Sequence, residues 1–130
     1  MIQPCFRGEL YYAVLGQGVG SEQSGTRPVM VLQNDVGNRY SPTTIVAPIS
    51  GQRETKASLP THYHLEGIGT LRTPSTVLLE QIRVIDKSRL GRKLGWLSQE
   101  HIQGIDQAIK VSLGLTSPAK KEDSNDEGKN

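Results

Sequence analysis

The chain is poor in several things, and each shortage closes off a class of function. One cysteine, Cys5, among 130 residues excludes an internal disulfide and a thiolate zinc cluster, and one thiol near a terminus is more often incidental than nucleophilic. No metal site and no cofactor is therefore expected. No apolar run reaches the ~18 residues that span a bilayer, and no basic-then-apolar leader opens the sequence, so a cytoplasmic protein without membrane contact is expected. Neither sign of charge dominates: 15 Lys and Arg against 13 Asp and Glu leave a net charge of +2, too little to identify a nucleic-acid binder. The charge is unevenly spread, because SPAKKEDSNDEGKN (117–130) holds three basic and four acidic residues and no large apolar one. Such a segment cannot bury enough apolar surface to offset its ordering entropy. The expected organisation is one domain over 1–115 and a disordered polar tail over 116–130.

What is present reads mainly as strands. GELYYAVLG (8–16) and PVMVLQND (28–35) carry the β-branched and aromatic residues that suit a pleated surface. Asn, Asp and Gly make NDVGNRYSP (34–42) a turn-rich connection. TTIVAPIS (43–50) is a nearly continuous apolar strand, and Pro48, which cannot donate to a ladder, places it at an edge or at a bulge. THYHL (61–65) alternates as a further strand before a turn at Gly67 to Gly69. STVLLEQIRVID (75–86) reads as one long strand whose apolar run is interrupted by Glu80 and Gln81. Short irregular turns are expected from Asp86 to Leu97. Ser98 then caps a helix with an apolar stripe at Ile102, Ile105, Ile109 and Leu113, ended by Gly114. Five or so strands and one terminal helix predict a small, strongly curved antiparallel barrel with the helix over one open side.

The residues that suggest chemistry lie in GSEQSGTRP (20–28), which sets Arg27 at the junction of a long glycine-bearing loop and an apolar strand. A loop of this length in a compact domain is usually functional or disordered. The plain alternative is a surface Arg27 paired with Glu22.

These residues resemble the MazF/PemK-type toxins, the endoribonuclease partners of type II toxin–antitoxin pairs. The matching segments are RGELY (7–11), GVGSEQSGTRPVMVLQNDVGNRYSPTTIVAPIS (18–50), LPTH (59–62), VLLEQIRVIDKSRL (77–90) and VSLGL (111–115). The resemblance implies an SH3-like barrel of the MazF/CcdB/Kid kind. It also implies a homodimer, metal-independent cleavage of single-stranded RNA at a preferred sequence, and a smaller acidic antitoxin as partner. It places the catalytic arginine on Arg27. A second catalytic position, usually threonine, falls on Ser50, which keeps the hydroxyl but lacks the methyl that stiffens χ1. Gln81 would lie near the RNA.

Metal-free cleavage uses the ribose 2′-hydroxyl as nucleophile, so the protein must take its proton, protonate the leaving 5′-oxygen and stabilise charge on the phosphoryl oxygens. Arg27 suits the last task, because its fork can hold two phosphate oxygens. It is unsuited to proton abstraction, since an arginine is almost never neutral at pH 7. Glu22 is a weak candidate for the base, which stays unassigned. His62 and His64 share one face of a strand, roughly 7 Å apart; the reading preferred here gives that pair no shared function, and leaves His101 a solvated helix position. Ser21, Glu22 and Gln23 in the first loop, with Gln52 and Arg53 after Ser50, are candidate RNA-binding residues, since single-stranded bases are read on splayed-out edges. Two rival functions remain: a gyrase-directed toxin of the same barrel architecture, and an RNA-binding barrel that does not cut.

Overall fold

A computed structural model describes residues 4–51, 59–71 and 73–118. Seven strands, β1 (Glu9–Val14), β2 (Thr26–Val31), β3 (Thr43–Ser50), β4 (His62–Leu65), β5 (Ser75–Leu78), β6 (Arg83–Asp86) and β7 (Leu90–Trp96), are joined by helices α1 (Asp35–Tyr40) and α2 (Gln99–Ser112). All ladders are antiparallel. Five strands in the order β6-β3-β2-β1-β7 form a curled sheet whose two edges are connected by a single 3-10 turn at Lys87–Arg89. The far end of β3 leaves this sheet and pairs instead with β5, which pairs with β4. This is the small mainly-β barrel with a terminal helix that the strand count predicts.

The near-continuous apolar character of β2 and β3 follows from burial on both faces. Met30, Ala47 and Ile49 join Leu65, Val77, Leu94 and the α2 residues Ile105 and Ala108 in one core. Val29, Val31 and Val46 join Tyr11, Ala13, Ile85 and Leu90 in a second core on the opposite face. Alternate residues of the same two strands thus serve two cores.

Several expectations need correction. Residues 34–42 contain the helix α1 rather than only turns, because Asn34 caps it by accepting from the Gly37 amide at 2.8 Å. The Asn38 carboxamide then anchors it from inside, donating to the Gln33 carbonyl and accepting from the Thr44 hydroxyl at 2.7 Å. The single strand expected over 75–86 is two strands. Ile49 pairs with Val77 and Ser50 with Thr76, whereas Val46 pairs with Arg83, so the register jumps and Leu79–Gln81 is extruded as a 3-10 turn. The polar pair Glu80 and Gln81 is what the apolar run lacked, and it sits in that turn.

Asp86 to Leu97 holds a strand, β7, where irregular turns are expected. Only Leu90 and Leu94 of β7 are buried, and its pairing with β1 is broken by two register shifts, so no clean alternation marks it. Pro48 lies in a central strand and not at an edge. The Leu32 amide bonds the Ile45 carbonyl, so odd residues of β3 direct their polar groups to β2. Pro48 therefore turns its missing N–H to the other flank, at the gap between the β6 and β5 ladders. Ser98 caps α2 as expected, but Leu113 is 61% exposed and leaves the apolar stripe at Ile109. Gly67 and Gly69 turn the chain after β4, and the Thr70 amide then bonds the Leu94 carbonyl at 2.9 Å, which closes that side against β7.

No described helix is long and apolar enough to cross a membrane. Cys5 is 2% exposed, and burial pushes its thiol above the usual range despite the opposing Lys87 ammonium. Iodoacetamide at neutral pH is accordingly expected to leave the folded protein unmodified and to label it once urea unfolds it, a difference that mass spectrometry reads directly.

Candidate functional site

The site is built where the sheet divides. The β2–β3 ladder ends at Val29 opposite Pro48, and Arg27 and Ser50 each stand two residues beyond that last pair. They share a face, since Arg27 has the parity of Val29 and Val31 and Ser50 that of Val46. Beyond this point β3 follows β5 while β2 continues along β1, with Arg27 opposite Ala13. Arg27 and Ser50 thus occupy the two lips of a split.

Arg27 is half-buried and anchored by its Nε, which donates to the Ser24 carbonyl at 2.9 Å. Among the described residues its Nη1 and Nη2 atoms have no hydrogen bond, so the outer edge of the fork is available for an anion. The expected alternative, a pair with Glu22, is not formed. The Glu22 carboxylate instead closes its own turn, accepting from the Val19 amide at 2.8 Å.

Gln81 holds the first loop. Its Oε1 accepts from the Gln23 amide at 2.8 Å and its Nε2 donates to the Ser21 carbonyl at 3.2 Å. Arg83 adds a third tie, from Nη1 to the Gln23 carbonyl at 3.1 Å. A cleft of about 450 Å³ lies between Ser21 and Glu22 of the loop and Glu80 and Gln81 of the 3-10 turn. Gln23 Oε1 is buried without a hydrogen-bond partner among the described residues. Gln52 and Arg53 lie outside the described residues, as does most of the expected tail.

Position in the sheet separates the histidines. His62 Nε2 meets Glu80 Oε2 at 3.0 Å, and Thr61 donates to the other oxygen of that carboxylate at 2.9 Å. His64 Nδ1 lies 2.9 Å from Thr76 Oγ1. His101 is not a solvated position: its Nδ1 meets the Tyr63 hydroxyl at 2.9 Å, with the two rings edge to face. Sequence reasoning missed Thr76, Arg83 and the His62–Glu80 pair, whose partners are distant in the chain and have no local signal.

Among the described residues no three His, Cys, Asp or Glu side chains are grouped to hold a metal ion. A larger hollow of about 930 Å³ lies at α1 between Phe6, Asn38, Tyr40 and the buried Lys87, and neither Arg27, Ser50 nor Gln81 lines it. What the split can do is bind a charged oxygen-bearing group between a guanidinium and a hydroxyl, beside a loop held at three backbone points.

Residues 6–113 match the family model of the PemK-like, MazF-like toxins of type II toxin–antitoxin systems. The chain is 51% identical over 111 residues to endoribonuclease EndoA of Bacillus subtilis, an alignment covering 84% of this chain and 94% of that protein. Among solved structures, MazF of Deinococcus radiodurans superposes with a TM-score of 0.73 at 20% identity, covering 86% of this chain and 98% of that one. A mycobacterial endoribonuclease in complex with its cognate antitoxin gives 0.70 at 24% identity, covering 88% and 99%.

Proposed function

The chain belongs to the PemK/MazF-like toxin family of type II toxin–antitoxin systems, and on that footing we propose that it is an endoribonuclease that cuts single-stranded RNA, without a metal, by attack of a ribose 2′-hydroxyl. The observation that carries this reading is the alignment of Arg27 and Ser50 across the split, with the outer edge of the Arg27 guanidinium open. A phosphodiester in that gap would set its non-bridging oxygens on Arg27 Nη1 and Nη2. As O2′ closes on phosphorus, those oxygens gain charge, and two donors fixed in advance stabilise the transition state more than the ground state. The Ser50 hydroxyl orients the reacting phosphate or the 2′-hydroxyl.

Ser21, Glu22 and Gln23, with Gln52 and Arg53, are assigned to base recognition. Gln81 serves the same task indirectly, because both polar atoms of its amide are committed to the loop backbone. Replacing Gln81 with leucine is expected to speed exchange of the Gln23 amide about tenfold, since each lost bond is worth about 1 kcal/mol, and to blur the preferred cleavage sequence. Hydrogen exchange followed by mapping of cut ends reads both effects; unchanged exchange would remove the clamp.

Family membership and the antitoxin-bound mycobacterial relative support an acidic antitoxin as the partner, folding across a homodimer of this chain and covering the RNA groove. The body without its tail carries +3, which suits both an acidic segment and RNA.

The test is incubation with a long single-stranded RNA in excess EDTA and mapping of the cut ends. Discrete cuts leaving 5′-hydroxyl ends are expected. Ser50→Ala should slow them about 10- to 100-fold, the usual cost of losing a hydrogen bond to a charged group. No cuts by the wild type, alongside inhibition of gyrase supercoiling, would transfer the chain to the non-nuclease branch.

A further inference from the structure

The hollow of about 930 Å³ beside α1 has no part in the chemistry proposed above. α1 joins the end of β2 to the start of β3, whereas Arg27 stands near the start of β2 and Ser50 ends β3. Hollow and split therefore lie at opposite ends of the same two strands. Two features set the hollow apart from ordinary surface. Phe6, Val36 and Tyr40 all line it and each is more than half exposed, so three large apolar side chains converge on one concavity that is open to solvent. Lys87 also lines it, yet is only 6% exposed, and its ammonium donates to the Asn38 carbonyl. An ammonium has three N–H donors, and among the described residues that carbonyl is the one hydrogen-bond partner of Lys87 Nζ. A carbonyl engages a donor but does not neutralise a charge, and a buried cation without a counter-ion is costly.

The other charged groups lining the hollow are Arg39 and Asp35. Asp35 Oδ1 is already engaged, accepting from the Arg7 amide at 2.7 Å and from the Asn38 carboxamide at 3.1 Å. The Arg39 guanidinium lies over the Tyr40 ring, 5.3 Å from its centroid, and among the described residues neither Arg39 nor Lys87 has a carboxylate within 4 Å. Two cations against one occupied carboxylate leave the lining net positive. We propose that this hollow docks an acidic segment of a partner protein, in which a Glu or Asp side chain reaches Lys87 while bulky apolar neighbours cover Phe6, Val36 and Tyr40. Walls this exposed suit a chain lying across them better than a small molecule, whose sites enclose most of the ligand. Tyr and Arg at the rim are also residue types enriched in protein interfaces. Single-stranded RNA fits less well, since its backbone is tracked by a groove of several cations, and here one ammonium is buried and one carboxylate stands beside it. A segment seated at α1 leaves the split free, so the proposal stands apart from the ribonuclease reading.

The test titrates the acetylated and amidated peptide Ser-Leu-Glu-Phe-Ser into the isotope-labelled full chain and follows amide NMR shifts. The same peptide with Gln in place of Glu and a uridine-rich RNA oligonucleotide are run beside it. The Glu peptide should give saturable shifts at Val36, Arg39, Tyr40 and Ser88. The Gln peptide should bind about tenfold more weakly, the difference made by a hydrogen bond to a charged group. Lys87→Met keeps the aliphatic stem and should bind the two peptides alike, because the preference for Glu resides in the ammonium. Tyr40→Ala removes an exposed wall and should weaken the Glu peptide about tenfold with the fold intact by circular dichroism; it carries the test if Lys87→Met misfolds. Absence of saturable shifts, equal affinity of the wild type for both peptides, or a Glu preference that survives in Lys87→Met overturns the proposal. Shifts at α1 with the RNA and not with the peptide overturn it in favour of nucleic acid, and peptide shifts centred on Gln23 and Gln81 place the segment in the split instead.

Discussion

Arg27→Ala is expected to slow RNA cleavage by about 10²- to 10³-fold, the measured worth of a preorganised donor to a developing oxyanion being about 2.7 to 4 kcal/mol. Among the described residues the side chain donates to one group, the Ser24 carbonyl, and it sits half-buried at the lip of the split, so its removal leaves no described charge unpaired. Stability should change little. The loop it touches stays tied through Gln81 and Arg83 to the 3-10 turn and to β6. Affinity for an uncleavable RNA should fall far less than the rate, because the fork is aimed at charge that grows during reaction. Arg27→Lys should recover only part of the loss, since an ammonium is a point donor and cannot grip two oxygens in one plane. Single-turnover rates with denaturation midpoints measured in parallel decide the matter; equal losses of rate and stability would make Arg27 a structural residue.

The second large effect is on stability. Gly69→Ala should destabilise the fold by about 3 kcal/mol or more, because two penalties coincide. Gly69 has φ of +51°, in the left-handed region that side chains disfavour. A Cβ there would also stand 2.0 Å from the Leu94 carbonyl oxygen and 3.0 Å from the Gly95 Cα, both backbone atoms of β7 that no rotamer change can move aside. The collision falls where the Thr70 amide bonds that same carbonyl, so relieving it opens the closure between the turn after β4 and β7. Urea unfolding should show a lower midpoint, and exchange at Thr70 should rise first. Gly67→Ala is the matched control: its φ of +68° carries the backbone penalty, but nothing lies within 4 Å of the added methyl, so its cost should stay near 1 kcal/mol. Equal effects from the two would show that backbone strain alone is at work.

Much of this molecule was legible in its residues because the signals are local. The β-branched runs of β2 and β3, the Ser98 cap and the glycines that end α2 and turn the chain after β4 act within a few residues of themselves. The segments matching the family also nominate Arg27 and Ser50, the two residues proposed for the site. Where the reading failed, the deciding partner was distant. β7 shows no alternation because two register shifts against β1 scramble it, and α1 replaces a turn because Thr44 and Gln33 bind Asn38 from outside the helix. The long strand over 75–86 broke because β3 offers it two ladders out of register, a fact that lies in neither segment alone.

The sequence by itself determined the strand-rich class and the terminal helix, since hydrophobic pattern, capping and turn chemistry are properties of short stretches, and its resemblance to the family nominated Arg27 and Ser50 for the proposed site. Only the tertiary structure decided that Arg27 and Ser50 stand at the two lips of a divided sheet, that the Gln81 amide ties the first loop through its backbone, and that His62 meets Glu80 while His64 meets Thr76. Register is the physical reason: it is set jointly by strands far apart in the chain, and shifting a pairing by one residue moves every side chain to the opposite face.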